Sequence, residues 1–340
     1  MTKNREIMKK IYWILICVLF TSFLGCSNSD EPEIPTEPPV ITPPVAIGDS
    51  VTVSFKFTGD VDFSTSPMSR VAQSADDLYG LQVYTMNTGT SYNINTYAYG
   101  YFDNVDDIKV RLSGIQKYGF TLTYIPNGKN IIYKYPDGHY GRPFASLFHE
   151  SYNGAINTIR YSTTAGLDQL GSCAAQTTSS YKEGNSLVEV ERYQGAVGYV
   201  DPRKTNIIEI PLYKQMYGLK IVAKDFTEGS IHIKTFDGTT KGPIYPETNT
   251  TTTEHSWIFQ LPYMPDCYDA VNGEPRQEVN LGIYYRDNDG NETPLFSKMI
   301  TVERNVMHTF TFSVGDILYG GVKPTYKEDG EMQEKEQLKQ

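Results

Sequence analysis

Apolar and polar residues alternate without a break over Val51-Thr52-Val53-Ser54-Phe55-Lys56-Phe57-Thr58. Successive side chains of a strand point to opposite faces, so this stretch predicts a strand buried on one side. Residues 78–86 (LYGLQVYTM) are apolar on both phases and predict a central strand, closed by a turn at Asn87-Thr88-Gly89. Residues 107–112, 118–125 and 130–135 predict further strands, and Asn127-Gly128 is a hairpin signal between the last two. Residues 142–171 show no firm period, and strand character returns over 186–193. The stretch 195–205, with Gly198 and Asp201-Pro202, is the expected boundary between two domains. Beyond it Ile208, Ile210 and Leu212 share one face, with Pro211 pointing to a sheet edge because proline has no amide to donate. Residues 218–224, 230–236, 256–261, 279–286, 295–303 and 307–314 complete the set. Asp237-Gly238 and Asp287–Asn291 supply turns, and residues 320–340 form a polar, loose tail. Short strands at this spacing predict an all-β chain of two antiparallel β-sandwiches.

The N-terminus breaks this pattern. Lys3, Arg5, Lys9 and Lys10 precede an apolar run from Ile11 to Phe20, which falls short of the ~20 residues that cross a bilayer as a helix. A basic head, a short apolar core and a small residue before the break predict a bacterial secretory signal. Phe23-Leu24-Gly25-Cys26 resembles the lipobox cut by lipoprotein signal peptidase. That resemblance implies cleavage between Gly25 and Cys26 and acylation of Cys26, and several acyl chains on one residue suffice for stable anchoring. Residues 27–44 then carry six prolines interspersed with Asp30, Glu31, Glu33 and Glu37. Such a segment cannot bury a core and predicts an extended stalk of about 3.1 Å per residue. The acids beside Cys26 resemble the surface-export signal of Bacteroidetes lipoproteins, which implies an outer-membrane chain facing outwards. The expected layout is therefore signal 1–25, lipidated linker 26–46, first sandwich 47–200, second sandwich 201–318 and tail 319–340.

Composition narrows the function. Removing residues 1–25 takes away four basic residues and one acid, moving the formal charge from −10 to −13. Such a chain lacks the clustered Lys and Arg that bind phosphate backbones, so nucleic acid is not an expected partner. The 26 tyrosines and 15 phenylalanines fit aromatic-rich sheets. Of the four cysteines, Cys17 leaves with the signal and Cys26 is the lipid site, so Cys173 and Cys267 remain. They could pair in an oxidising compartment or stand as two separate buried thiols. Without a CxxC motif or a Cys/His cluster, no thiolate metal site is expected.

No catalytic constellation is visible. His149-Glu150 lacks the second histidine of a metalloprotease helix, and His139, His149, His232, His255 and His308 show no ligand spacing. GxSxG, phosphate-loop and dinucleotide signatures are absent, although paired glycosidase carboxylates would meet only in space. Residues 287–292 (DNDGNE) carry the acid spacing of half a calcium loop, but position twelve is Lys298, so a hairpin turn is the expected reading. Tyr97, Tyr99 and Tyr101 would line one face of an extended segment, as core or as an exposed row able to stack on sugars. The expectation is thus no enzyme, no cofactor and no metal.

Three segments carry a more specific resemblance. They are residues 51–57 followed by Ser69-Arg70 and 76–84 (DDLYGLQVY), residues 208–222 (IEIPLYKQMYGLKIV), and residues 300–312 (ITVERNVMHTFTF). Together they resemble the fimbrillin superfamily of Bacteroidetes, whose members build and anchor lipoprotein-derived pili. The resemblance implies two transthyretin-like, Greek-key sandwiches and assembly by strand addition, in which backbone hydrogen bonds give affinity and side-chain pockets give register. It also implies a possible maturation cut between Arg70 and Val71, removing the first strand, the stalk and Cys26 together. Anchor subunits of the superfamily keep the lipid, and a long stalk is useful only to a tethered chain. The expected role is a surface-anchored fimbrial or adhesin-like lipoprotein, partnered by a membrane, other subunits or a host or glycan ligand. The alternative is a glycan-binding outer-membrane lipoprotein of a polysaccharide-uptake system.

Overall fold

The computed structural model describes residues 49–60, 74–86, 94–136, 138–145, 156–167, 190–236, 245, 247–265, 267, 276–315 and 325–331. The chain is nearly all β. Its first sheet is built from β1 (Ser50–Gly59), β2 (Leu78–Met86), β3 (Ile94–Phe102), β4 (Val110–Ser113), β5 (Lys117–Ile125), β6 (Arg160–Tyr161), β7 (Tyr193–Val200) and β8 (Ile207–Lys214). These run in the order β4-β1-β8-β7-β5-β2-β3-β6. Two four-stranded sheets follow. One holds β10 (Ser230–Phe236), β11 (Thr248–Thr250), β13 (Arg276–Arg286) and β14 (Glu292–Glu303), in the order β11-β10-β13-β14. The other holds β9 (Met216–Lys224), β12 (Glu254–Gln260), β15 (Val306–Ser313) and β16 (Thr325–Glu331), in the order β12-β9-β15-β16. Pairing is antiparallel except for β1 with β8 and β9 with β15, which run parallel.

The alternation read from β1 sets its packing. Val53 and Phe57 are buried, while Val51 and Phe55 are half-buried against the same core as Phe120, Leu122 and Ile210. β2 and β5 are buried along almost their whole length, because the sheet is covered on both faces here. The second cover includes Ile132, Tyr140, Phe144, Ala165 and Leu167, which share a core with Tyr99 and Tyr101. In the second sandwich Trp257 and Phe259 point inwards together, as their spacing predicts, against Tyr217, Leu219 and Phe310.

Several expectations are corrected by the sheet ladders. The glycine-containing stretch expected to separate the domains is largely β7, a strand inside the first sheet. Gly195 is there for close approach, since a Cβ would stand 2.0 Å from the Pro211 carbonyl oxygen of β8. A Cβ on Gly198 would likewise meet the Cys267 carbonyl oxygen at 2.9 Å. β8 lies between β1 and β7 rather than at an edge. Pro211 is tolerated because the β7–β8 ladder consists only of Tyr193↔Lys214 and Gln194↔Tyr213, past which the proline sits. Residues 130 and 131, expected to open a strand, belong instead to a helical turn over Gly128–Ile131, with Asn127 left-handed at φ 54° and Lys129 N–H donating to the Asp76 carbonyl. Part of the expected loose tail is β16, paired antiparallel with β15. Its sequence, TYKEDGE, has no apolar period, so only the ladder reveals it.

The row Tyr97, Tyr99 and Tyr101 is split. The register between β2 and β3 slips after Val83↔Ala98 to Tyr84↔Thr96, leaving Tyr97 as the extra residue of a bulge. Tyr99 and Tyr101 are fully buried under the second cover, whereas Tyr97 packs in the inner core, edge-on to Tyr118 and to Tyr161. These three tyrosines seal the outer edge of β4. Tyr97 Oη donates to the Arg111 carbonyl at 3.0 Å, and Tyr161 Oη accepts from the Arg111 amide at 2.8 Å. Tyr118 Oη accepts from the Ser113 amide at 3.0 Å and donates to its carbonyl at 3.3 Å. Side-chain hydroxyls thus satisfy backbone groups that would otherwise template another chain. Burial accordingly pushes the Tyr97 and Tyr118 phenols up.

The sandwiches meet across a buried polar seam. Arg192, fully buried, donates from Nη2 to Gln194 Oε1 at 2.7 Å and from Nε to Thr123 Oγ1 at 3.2 Å. Gln194 Nε2 donates onward to the Pro265 carbonyl at 2.7 Å, and the Cys267 amide donates to Thr121 Oγ1 at 3.3 Å. A buried cation is tolerable only when hydrogen-bonded in this way.

Candidate functional site

The feature that bears most directly on strand addition is the slot that β1 fills. β1 runs antiparallel to β4, Ser50↔Ser113 to Val53↔Val110, and parallel to β8, Ser54↔Ile207 to Gly59↔Leu212. It hands over from one neighbour to the other midway, so both of its ends are laddered. Phe55 packs edge-on to Phe120 at 5.4 Å between ring centroids and lies parallel to Phe57 at 6.4 Å. At the exit, Gly59 adopts φ +93° and a Cβ there would sit 2.5 Å from the Leu212 carbonyl oxygen, so glycine is required. Asp60 N–H donates to that carbonyl at 2.8 Å, and Asp60 Oδ2 accepts from the Lys214 amide at 2.8 Å.

Across the intervening residues, Asp77 pins the start of β2. Its Oδ2 accepts from the Ser74 amide at 2.9 Å, Tyr124 Oη at 3.2 Å and Tyr79 Oη at 3.4 Å, and its Oδ1 from the Asn127 amide at 2.9 Å. The Tyr79 and Tyr124 rings stack at 4.8 Å, and burial drives both phenols far above the usual tyrosine range. Arg70 and Val71 lie between the two pinned points but outside the described residues, as do Gly25, Cys26 and Cys173. Cys267 is buried, its Sγ 2.7 Å from where a Gly119 Cβ would be.

A second cluster escaped the sequence, because its members come from three separate segments of one sheet. His232, Glu247 and Glu292 bring a ring nitrogen and two carboxylates within 4.8 Å of one another. His232 Nδ1 lies 2.5 Å from Glu247 Oε1, and Nε2 lies 2.7 Å from Ser230 Oγ. The carboxylates already face two cations. Lys234 Nζ sits 2.8 Å from Glu292, and Arg286 contacts both Glu292 and, at 3.1 Å, Glu247. Lys234 and Arg286 thus balance the two carboxylates, and the group acts as an ion-pair clasp across β10, β13 and β14. Hydrogen bonds from Lys234 and then Arg286 hold the Glu292 carboxyl down to about 2. A depressed carboxyl contributes stability above its unfolded value of ~4.3 and loses it as pH falls towards the folded value. The melting-temperature gap between wild type and Glu292→Gln should therefore be constant above pH ~4.5 and shrink steadily below it. Melts from pH 6 to 3 check this, and a gap independent of pH would contradict it.

The calcium-like stretch is a turn, as expected. Asp287 Oδ1 accepts from the Asn291 amide at 2.8 Å and the Asp289 amide at 3.0 Å, with Gly290 at φ +87°. These bonds, with that from the Asn291 side chain to Oδ2 at 2.9 Å, hold the Asp287 carboxyl low. His139 and His255 stand apart, stacked on Tyr135 and beside Trp257 respectively, and His149 lies outside the described residues.

No protein-family model matches the chain. No curated protein matches it either. Among solved structures it is similar to a candidate adhesin from Bacteroides thetaiotaomicron, at 12% identity and a TM-score of 0.35, covering 84% of this chain and 97% of the other. It is also similar to a C-terminally truncated tip fimbrial protein, Mfa3, from Porphyromonas gingivalis, at 11% identity and a TM-score of 0.33, covering 82% and 98%. A fimbrial assembly protein from Parabacteroides distasonis is similar at 9% identity and a TM-score of 0.30, covering 83% and 96%.

Proposed function

We propose that the chain is a surface-anchored, non-enzymatic fimbrial or adhesin-like lipoprotein, lipidated at Cys26 and held off the outer membrane by its proline-rich stalk. One observation carries the mechanism. β1, the strand nearest the stalk, joins β4 and β8 through backbone ladders and buries only Val53 and Phe57 completely. A strand held in this way can be exchanged for another with the same apolar spacing, which is the chemistry of strand addition. While β1 stays in place the slot is self-filled, which suits a tethered subunit that docks others without itself polymerising. Cleavage between Arg70 and Val71 would instead release β1 with the stalk and open the slot.

Mass spectrometry of the N-terminus of protein taken from producing cells separates these fates. The expected species begins at acylated Cys26. A chain beginning at Val71 would overturn the anchored reading and make this a polymerising subunit.

A further inference from the structure

Two side chains from separate segments of the first sandwich converge on one carboxylate. Asp103 follows β3, Lys129 lies in the helical turn Gly128–Ile131, and Asn157 precedes β6. Asp103 Oδ2 accepts from the Lys129 ammonium, and Oδ1 accepts from Asn157 Nδ2 at 2.6 Å. The Asp103 amide N–H in turn donates to Asn157 Oδ1 at 2.9 Å. The backbone holds both partners in place. Asn157 is left-handed at φ 62°, a conformation that asparagine tolerates, and its N–H donates to the Tyr101 carbonyl at 2.9 Å. Lys129 N–H donates to the Asp76 carbonyl at 2.8 Å.

This is more than an ion pair. An amine, an amide carbon and a carboxylate that touches both nitrogens are the parts of an acyl transfer. The amide oxygen already takes a backbone N–H, the donor that a developing oxyanion needs. The two nitrogens sit on the two oxygens of one carboxylate, and the flexible lysine stem lets Nζ swing to within the ~3–3.5 Å of Cγ that attack requires. Burial works to raise the Asp103 carboxyl, but hydrogen bonds from Lys129 and Asn157 hold it below its ordinary range, so it starts as the ionised base.

We infer that Lys129 and Asn157 become joined by an isopeptide bond, with Asp103 as the proton carrier. Asp103 takes a proton from the Lys129 ammonium, and the freed Nζ attacks Asn157 Cγ. The Nζ–Cγ bond forms, the Cγ–Nδ2 bond breaks, and Asp103 passes its proton to the departing nitrogen. That nitrogen also takes the surplus proton of Nζ and leaves as ammonium, so the new amide is neutral and the carboxylate is restored. Nothing is oxidised or reduced, and no co-reactant is needed. The reaction is a single self-modification, not turnover of a substrate. Its consequence is local: β6 joins β3 through Ala98↔Tyr161 and Tyr99↔Arg160, and its Tyr161 hydroxyl helps to seal β4. A covalent tie just before β6 fastens that seal and restricts the unfolded chain as any cross-link does.

Trypsin does not cut after an acylated lysine, so a digest of the full chain taken from producing cells reads the bond directly. The expected species is residues 118–134 joined to residues 135–160, lighter than the two peptides together by one ammonia. Fragmentation should place the link between Lys129 and Asn157. Lys129→Arg keeps the charge pair but offers no amine to acylate, and Asp103→Asn keeps the shape but removes the proton carrier. Both should lose the joined species. Melting curves show whether each variant is folded, and the wild-type digest is decisive whatever they show. Separate wild-type peptides, cut after Lys129, would overturn the proposal. So would loss of ammonia confined to residues 135–160, which is ring closure at Asn153-Gly154, or a link from Lys129 to Asp103 with loss of water. A joined species at the wild-type level in Asp103→Asn would equally overturn it. The link is read without reference to Cys26, so its failure and that of the anchored reading are distinguishable.

Discussion

A chain beginning at Val71 is expected to melt at least 10 °C below one that retains β1, and to recover when a synthetic peptide of residues 50–60 is supplied. Burying Val53 and Phe57 contributes about 1.5–3 kcal/mol each. The half-buried Val51 and Phe55, and ladders on both sides, add to this. A loss on the order of 5 kcal/mol is a large part of the roughly 5–15 kcal/mol that holds a domain together. In a chain of this size each kcal/mol moves the melting point by about 2–4 °C. The outer side of β4 stays sealed by Tyr97, Tyr118 and Tyr161, so the vacated slot is the open side of that strand. An incoming strand must run parallel to β8 and place apolar residues at alternate positions. Peptide carrying Phe57→Asp, or the same residues scrambled so that the apolar alternation is lost, should therefore fail to rescue. Equal rescue by all three peptides, or a Val71-start chain as stable as the longer one, would show that β1 is not an exchangeable strand.

Most of the fold was legible because period-2 alternation is strong wherever one sheet face is buried. β1, β8, β9 and β12 all show this, and their inward residues are the ones the pattern selects. The failures share a cause. Gly195 and Gly198 look like linker chemistry in sequence, yet they are strand positions where another backbone passes too close for a Cβ. Pro211 signals an edge locally, but a ladder that stops two residues away lets it sit between two strands. β16 has no hydrophobic code, since its pairing lies in the backbone. In each case long-range contact overrode a local cue.

The candidate sites were less legible for a related reason. The bulge at Tyr97 re-aims one ring out of a row that composition alone makes uniform, turning an apparent platform into core and edge seal. Tyr133, an exposed ring, lies instead in Tyr133-Lys134-Tyr135, where alternation suggested an ordinary strand; Pro136 and Gly138, where the chain folds back, were the available signal. His232, Glu247 and Glu292 are joined only by the registers of three ladders, which set Ile233 opposite Thr248, Ser230 opposite Arg286 and Arg286 opposite Glu292.

Replacing Asp77 by alanine should be the most damaging single side-chain change near the candidate maturation segment. This carboxylate, 2% exposed, accepts from two amides and two tyrosine hydroxyls. Withdrawing a buried acceptor costs about 1–3 kcal/mol for each donor stranded, and several times the cost of an ordinary surface change in total. A loss of about 3–5 kcal/mol, or roughly 10 °C in melting temperature, is expected. Asp77→Asn keeps one acceptor oxygen and should cost less than half as much. A double-mutant cycle with Tyr124→Phe isolates the mechanism: once that hydroxyl is gone, Asp77→Ala should cost measurably less than in the wild-type background. Additive losses, or a melt within about 2 °C of wild type, would remove Asp77 from this role. The position gives the result its functional weight. Asp60 fixes where β1 ends on β8, and Asp77 fixes where β2 begins against β5, so the chain between them, with Arg70 and Val71, is bracketed by two independent anchors. A cut between such anchors can free β1 without unravelling β2. In the Asp77→Ala protein the second anchor is gone, and removal of β1 should then unfold the first sandwich instead of leaving it ready to accept a new strand.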